Sequence, residues 1–271
     1  MLIYQNSTNR FIEDIRNNTL SDIMKNNFEA GFGRRPHPSE VASWQNSLPR
    51  VRDLIELADM NQNMIALEHE VPYNQNRIDC LLFGRGLNDE ENVVLIELKQ
   101  WTDVTATDIE GNFVETYTGG GMRVVPHPSQ QTKGYHNFMK NFVSEFENKP
   151  PFILFSCAYC HNYTKVGSEG LFHPIYKKLI EDYPLYTKND VKVIAGRLKS
   201  LLSRGDGFEI FNRFMRSPIR PSQKLLENVT KVIKNEAVFS LINEQLVAKN
   251  LIWAKVRKST RGRESSVIIV H

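Results

Sequence analysis

The chain has 271 residues, 41% of them hydrophobic and 24% charged, with a formal net charge of +3 at neutral pH. That balance describes an ordinary globular protein, its mild positive charge permits nucleic-acid binding without demanding it, and the length suffices for one large domain or a domain with an appendage. No run approaches the ~18 apolar residues of a membrane span, MLIYQNSTNRFIEDI lacks the order of a secretory signal, and three cysteines give no disulfide framework. A cytoplasmic protein with no membrane partner is the expectation.

A first helical region is expected from Ser7 to Phe28, followed by the turn-rich GFGRRPHPSE. Ser39 then reads as the N-cap of a helix carrying Val41, Trp44, Leu48, Val51, Leu54 and Ile55 at helical spacing, broken or kinked at Pro49. After Asn61 the pattern changes. MIALEHEVPY and RIDCLLFG read as strands separated by a turn at Asn74–Asn76, and GLNDEEN as the polar turn into NVVLIELKQW. Two strands joined this way predict an antiparallel hairpin, with the unbroken VVLI buried in mid-sheet. Residues 102–128 read as an irregular excursion with a small hairpin at Gly119-Gly120-Gly121. Ser129 is expected to cap a helix to about Glu147, and PPFILFSCAY to form a further buried strand. From Pro174 to Lys249 the chain reads mostly helical, interrupted at Pro184, Pro218 and Pro221.

Chemistry concentrates where Asp79 is followed, eighteen residues on, by Glu97-Leu98-Lys99. Alternation along a strand puts Glu97 and Lys99 on one face and Leu98 on the other, with Asp79 on the neighbouring strand. Charges brought together at an apolar sheet cost several kcal/mol unless they are paired or bound to a metal. Carboxylates suit Mg²⁺ or Mn²⁺, and a lysine two residues from a ligand would orient a water or a phosphate oxygen. A structural ion pair at the sheet edge is the alternative.

The pattern resembles the PD-(D/E)xK nucleases, with Asp79 as the first acid and Glu97-Leu98-Lys99 as the E-x-K half. The helix–strand–strand–strand–helix–strand order between Ser39 and Tyr159 matches that family's core, so the resemblance implies an α/β, restriction-endonuclease-like fold. Gln131-Thr132-Lys133-Gly134-Tyr135 fits the Q-x-x-x-Y motif of RecB-type members, whose Gln and Tyr share one helix face. By resemblance, Asp79 and Glu97 would hold Mg²⁺ or Mn²⁺ with the Leu98 carbonyl as a third ligand. Lys99 and Gln131 would act catalytically, Tyr135 and His127 would contact substrate, and Glu40 would be a further metal or water ligand. Core packing for Tyr135 and a helix-stabilising first-turn acid for Glu40 are the competing readings.

HEVPYNQNRID, NVVLIELKQW, GGGMRVVPHPSQQ, CAYCHNY and SPIRPSQKLLENV resemble a bacterial family of nuclease–helicase fusions with a Schlafen-type DNA/RNA helicase domain. That likeness implies a nuclease domain over residues 1–216. Residues 217–271 would be a helical linker and first strand leading, after SSVIIVH, into a P-loop helicase. No G-x-x-x-x-G-K-[ST] occurs in these residues, so they are expected not to hydrolyse ATP. The implied function is metal-dependent cleavage of DNA, coupled to that motor, in DNA processing or anti-phage defence. A catalytically silent nucleic-acid-binding module and an RNA-directed nuclease are the alternatives. Cys157-Ala-Tyr-Cys160-His161 lacks the paired ligands of a zinc site and reads as packing. KNLIWAKVRKSTRGR, with six basic residues, reads either as a phosphate-contacting segment or as a solvated linker.

Overall fold

Ahead of the expected first helix, Leu2-Ile3-Tyr4 is extended. In the computed structural model, which describes residues 1–71, 76–107, 109 and 112–227, these residues open a strand, β1 (Leu2–Ser7). Ser7 accepts the Arg10 amide and caps α1 (Thr8–Arg16). The expected single helix is divided, because Asn18 takes a left-handed φ of 56° between α1 and α2 (Leu20–Phe32). The next helix, α3 (Pro38–Leu57), starts earlier than expected. Its N-cap is His37, whose Nδ1 accepts the Ser39 amide. Proline at the first helical position has a preset φ and no amide to satisfy, which moves the cap to the residue before it. Pro49 does not end α3. The carbonyl it leaves without a helical donor belongs to exposed Gln45, where water can replace it.

Strands β2 (Met64–Glu70), β3 (Arg77–Arg85) and β4 (Glu91–Lys99) form the expected antiparallel meander. The turn expected at Asn74–Asn76 falls mostly outside the described residues. The excursion after β4 is more regular than expected. Strands β5 (Val104–Ala106), β6 (Phe113–Thr118) and β7 (Gly121–Pro126) make a separate three-stranded sheet, with the hairpin closed at Thr118 and Gly121. Helix α4 (Pro128–Phe142) ends short of Glu147 and is capped by His127 rather than Ser129, again with proline at its first position. The chain then crosses to β8 (Ile153–Cys160), parallel to β4. After α5 (Lys177–Asp182) a short strand that the sequence did not reveal, β9 (Leu185–Thr187), adds in parallel to β8. Helices α6 (Val191–Leu202) and α7 (Gly207–Arg216) follow.

The result is a mixed six-stranded sheet in the order β1-β2-β3-β4-β8-β9, flanked by helices. One face packs Ile65, Leu82, Ile96 and Tyr159 against Phe11, Phe28, Leu54 and Leu198. The other packs Leu81, Phe83 and Leu95 against Tyr135 and Met139 of α4 and Phe211 and Phe214 of α7. Phe83, fully buried, meets both α7 rings at centroid distances of 5.4 and 5.2 Å. Phe83→Ala is therefore expected to cost about 3–5 kcal/mol in denaturant unfolding.

Residues 217–227 dock on the same body. Ile219 bridges to Val143, and the Arg220 and Ser222 amides donate to the Phe142 and Asn141 carbonyls. The rest of the expected helical appendage, including the basic run and the final apolar segment, lies outside the described residues. No described helix is long and apolar enough to cross a membrane.

Candidate active site

Register places the candidate acids. Cys80 pairs with Ile96, so one step further Asp79 stands opposite Glu97. Regular pairing stops there, because the Asp79 carboxylate accepts the Leu98 amide at 2.7 Å. Glu97 is fully buried, and its Oε1 receives the Lys99 ammonium at 2.5 Å. Its other oxygen, Oε2, is buried with no hydrogen-bond partner among the described residues. Asp79 and Lys99 are only partly buried, so the cluster reaches solvent through them. Lys99 also lies over the Trp101 ring, 5.5 Å from its centroid.

Burial and the Glu97 charge together push Asp79 up to about 7. Glu97 is also raised, by burial and against the pull of Lys99. For Lys99, burial favours the neutral amine, but Glu97 and Asp79 outweigh it and hold the ammonium above its ordinary value. Two facing carboxylates and one ammonium leave a surplus negative charge wherever both acids ionise. A shared proton or a divalent cation would relieve it.

The remaining residues divide. Tyr135 on α4 is 3% exposed, and its hydroxyl, raised by burial and then by Glu97 and Asp79, lies in the field of the acid pair. Gln131, one turn earlier, donates to that hydroxyl at 3.3 Å. The two thus form one polar edge of α4 turned toward the acids. The side chain of Leu98 packs into the opposite core, and its amide is the one that donates to Asp79.

Glu40 is held elsewhere. Its carboxylate accepts the His37 amide at 2.7 Å in a capping box and pairs with Arg77 at 2.5 Å, so both oxygens are occupied. Glu40→Ala is expected to lower stability by about 1–2 kcal/mol without slowing any cleavage, as unfolding curves and turnover would show together. His127 is corrected as a phosphate contact: it is fully buried, its Nδ1 accepts the Ser129 amide and its Nε2 lies 3.0 Å from the Leu171 carbonyl. Burial keeps this imidazole neutral by lowering its pKa to about 4.

Sequence reasoning missed Glu68. The pairs Leu67–Cys80 and His69–Ile78 bracket it opposite Asp79, and burial followed by the Asp79 charge raises its pKa. Its oxygens are taken by Trp44 Nε1 at 2.9 Å and Arg77 at 2.6 Å. Its φ of 54° is left-handed, a strained conformation for a non-glycine residue. Counting back from Asp79 through an assumed hairpin would have found its position, but not its strain.

Among the described residues no group of three or more His, Cys, Asp or Glu side chains is disposed to hold a metal. The available acid set is therefore two carboxylates, Asp79 and Glu97. Mg²⁺ commonly takes one or two protein carboxylates and keeps several waters, and the orphaned Glu97 Oε2 is the kind of atom such an ion would satisfy. Cys157 and Cys160 are buried in the cores on β8, and burial raises both thiols. Comparison with family models, with curated proteins and with solved structures finds no match to this chain.

Proposed function

We propose that the chain is a metal-dependent nuclease domain of the restriction-endonuclease-like, PD-(D/E)xK kind. The observation that carries this reading is Asp79 facing the buried Glu97, with Lys99 at their edge and one Glu97 carboxylate oxygen without a partner among the described residues. A fold does not keep two facing carboxylates for stability alone when burial raises both pKa values and the Glu97 charge raises that of Asp79 further. The order α3–β2–β3–β4–α4–β8, with Gln131 and Tyr135 over the acids, agrees with the same reading.

Asp79 and Glu97, with the Leu98 carbonyl, would hold one Mg²⁺ or Mn²⁺ ion. Bound there, the ion would supply charge stabilisation at the phosphate and a more acidic water. Lys99, released from Glu97, would orient the attacking water and hold a nonbridging phosphate oxygen. Gln131 and Tyr135 would position the backbone of the strand. DNA is the favoured substrate and RNA the second, with a C-terminal helicase domain as the partner in a longer protein and DNA processing or anti-phage defence as its setting.

The test is cleavage of end-labelled single-stranded DNA, duplex DNA and RNA with Mg²⁺ or Mn²⁺. Products that need the metal and disappear in Asp79→Asn support the proposal. Intact substrates throughout, with binding unchanged in Lys99→Ala, would favour a silent binding module.

A further inference from the structure

At the carboxyl ends of the parallel strands, on the sheet face opposite α4, lies a cavity of about 500 Å³. Thr102 follows β4, His161 follows β8 and Lys188 follows β9, and each reaches its wall. Arg50 and Asp53 of α3 and Val191 at the start of α6 complete it. Crevices at the carboxyl ends of parallel strands are where open α/β sheets bind ligands, and the volume suits a nucleotide better than a bare ion.

Its chemistry is that of an anion site. Arg50 and Lys188 are exposed cations at the mouth. The one acid, Asp53, stands 3.9 Å from Arg50 but is held more closely by Arg52 at 2.6 Å. The first-turn amides of α6 receive no side-chain cap, because the Asp190 carboxylate is committed to the amide and hydroxyl of Thr187, both at 2.7 Å. A helix of twelve residues opening this way presents free donors and the positive end of its dipole.

Independently of the helix, Tyr159 lines the cavity although it is only 2% exposed, and its hydroxyl has no hydrogen-bond partner among the described residues. The ring is buried but the hydroxyl is not sealed in the core, so it can donate from the cavity wall to a ligand that accepts its proton. His161 adds no charge: its ring nitrogens engage Asn162 Oδ1 at 3.1 Å and Ser47 Oγ at 3.0 Å, and burial lowers its pKa.

We propose that this cavity binds the phosphate of a nucleotide-sized ligand, with the Tyr159 hydroxyl and the α6 amides as donors and Arg50 and Lys188 as counter-charges. The site is separate from the Asp79–Glu97 pair and does not depend on hydrolysis there. Two sources share this chemistry, a free mononucleotide and the phosphorylated end of a strand.

The full chain, kept free of divalent metal, would be titrated with inorganic phosphate, with adenosine monophosphate, and with one oligonucleotide carrying either a 5′-phosphate or a 5′-hydroxyl. Phosphate-bearing probes should bind, Tyr159→Phe should weaken them about tenfold, Lys188→Gln should weaken them several-fold, and Glu97→Gln should change nothing. Preference for the phosphorylated oligonucleotide over its hydroxyl twin would assign the strand end, and equal binding of the mononucleotide would assign the free ligand. Absence of binding by every phosphate probe, or binding indifferent to both Tyr159→Phe and Lys188→Gln, would overturn the site. Loss in Glu97→Gln alone would place the phosphate at the acid pair instead.

Discussion

Glu97→Gln is expected to abolish metal-dependent cleavage and, in the same protein, to raise the stability of the metal-free fold at about pH 8. The two effects have one cause. An unfolded aspartate titrates near ~3.9, whereas folded Asp79 keeps its proton up to about 7. Between those values the folded protein binds more protons than the unfolded chain. The stability linked to Asp79 is therefore complete below the lower value and is lost as pH rises through the upper. Glutamine keeps the shape of Glu97, removes one of the two repelling charges and supplies an amide that can donate to Asp79. Satisfying a buried polar group in this way is worth about 1–3 kcal/mol, visible as a higher unfolding midpoint that disappears near pH 4. Cleavage should fall by about a thousandfold or more, since the lost metal interaction contributes several kcal/mol and each ~1.4 is tenfold. A purely structural ion pair predicts the reverse for stability, because glutamine would leave Lys99 with a weaker partner.

Lys99→Met is expected to damage both properties. The ammonium is the only cation that touches the Glu97 carboxylate among the described residues, and Glu97 is fully buried. Removing one partner of a buried pair typically costs about 3–5 kcal/mol, and here two mutually repelling acids would remain. The loss should be largest at about pH 8 and shrink as Asp79 takes up its proton toward pH 4. Added Mn²⁺ should restore much of the stability, since the ion replaces the missing positive charge, while cleavage stays low because the water and the phosphate are no longer positioned. Thermal unfolding with and without Mn²⁺, beside a cleavage assay, would separate these contributions. Glu97→Gln and Lys99→Met thus move stability in opposite directions while both reduce activity.

Much of the sheet was legible because its strands carry strong local signals. VVLI has no polar interruption, and the polar GLNDEEN between two apolar runs leaves little but a hairpin, which is how Asp79 and Glu97 came to face each other. Three features were not legible. Strand β1 is six residues of mixed polarity that form only because β2 offers an edge, and β9 is three residues that form only because β8 does. Such strands follow tertiary pairing more than propensity. Both caps do carry a signal in the sequence, the His-Pro step at His37-Pro38 and His127-Pro128, which sets the cap two residues ahead of the serine. His127 shows the cost: a residue assigned to substrate is a buried cap. Glu68 carries no signal of its own, since its place beside Asp79 depends on the register with the neighbouring strand and its strain on a left-handed backbone.

The central claim is that Asp79 and Glu97 together hold a divalent cation. It is tested most directly by titrating Mn²⁺ into the metal-free protein at about pH 8 and following the free ion by electron paramagnetic resonance. One ion bound per chain, lost in both Asp79→Asn and Glu97→Gln and retained in Glu40→Ala, is the predicted result. No bound Mn²⁺, or binding that survives both acid substitutions, would contradict it.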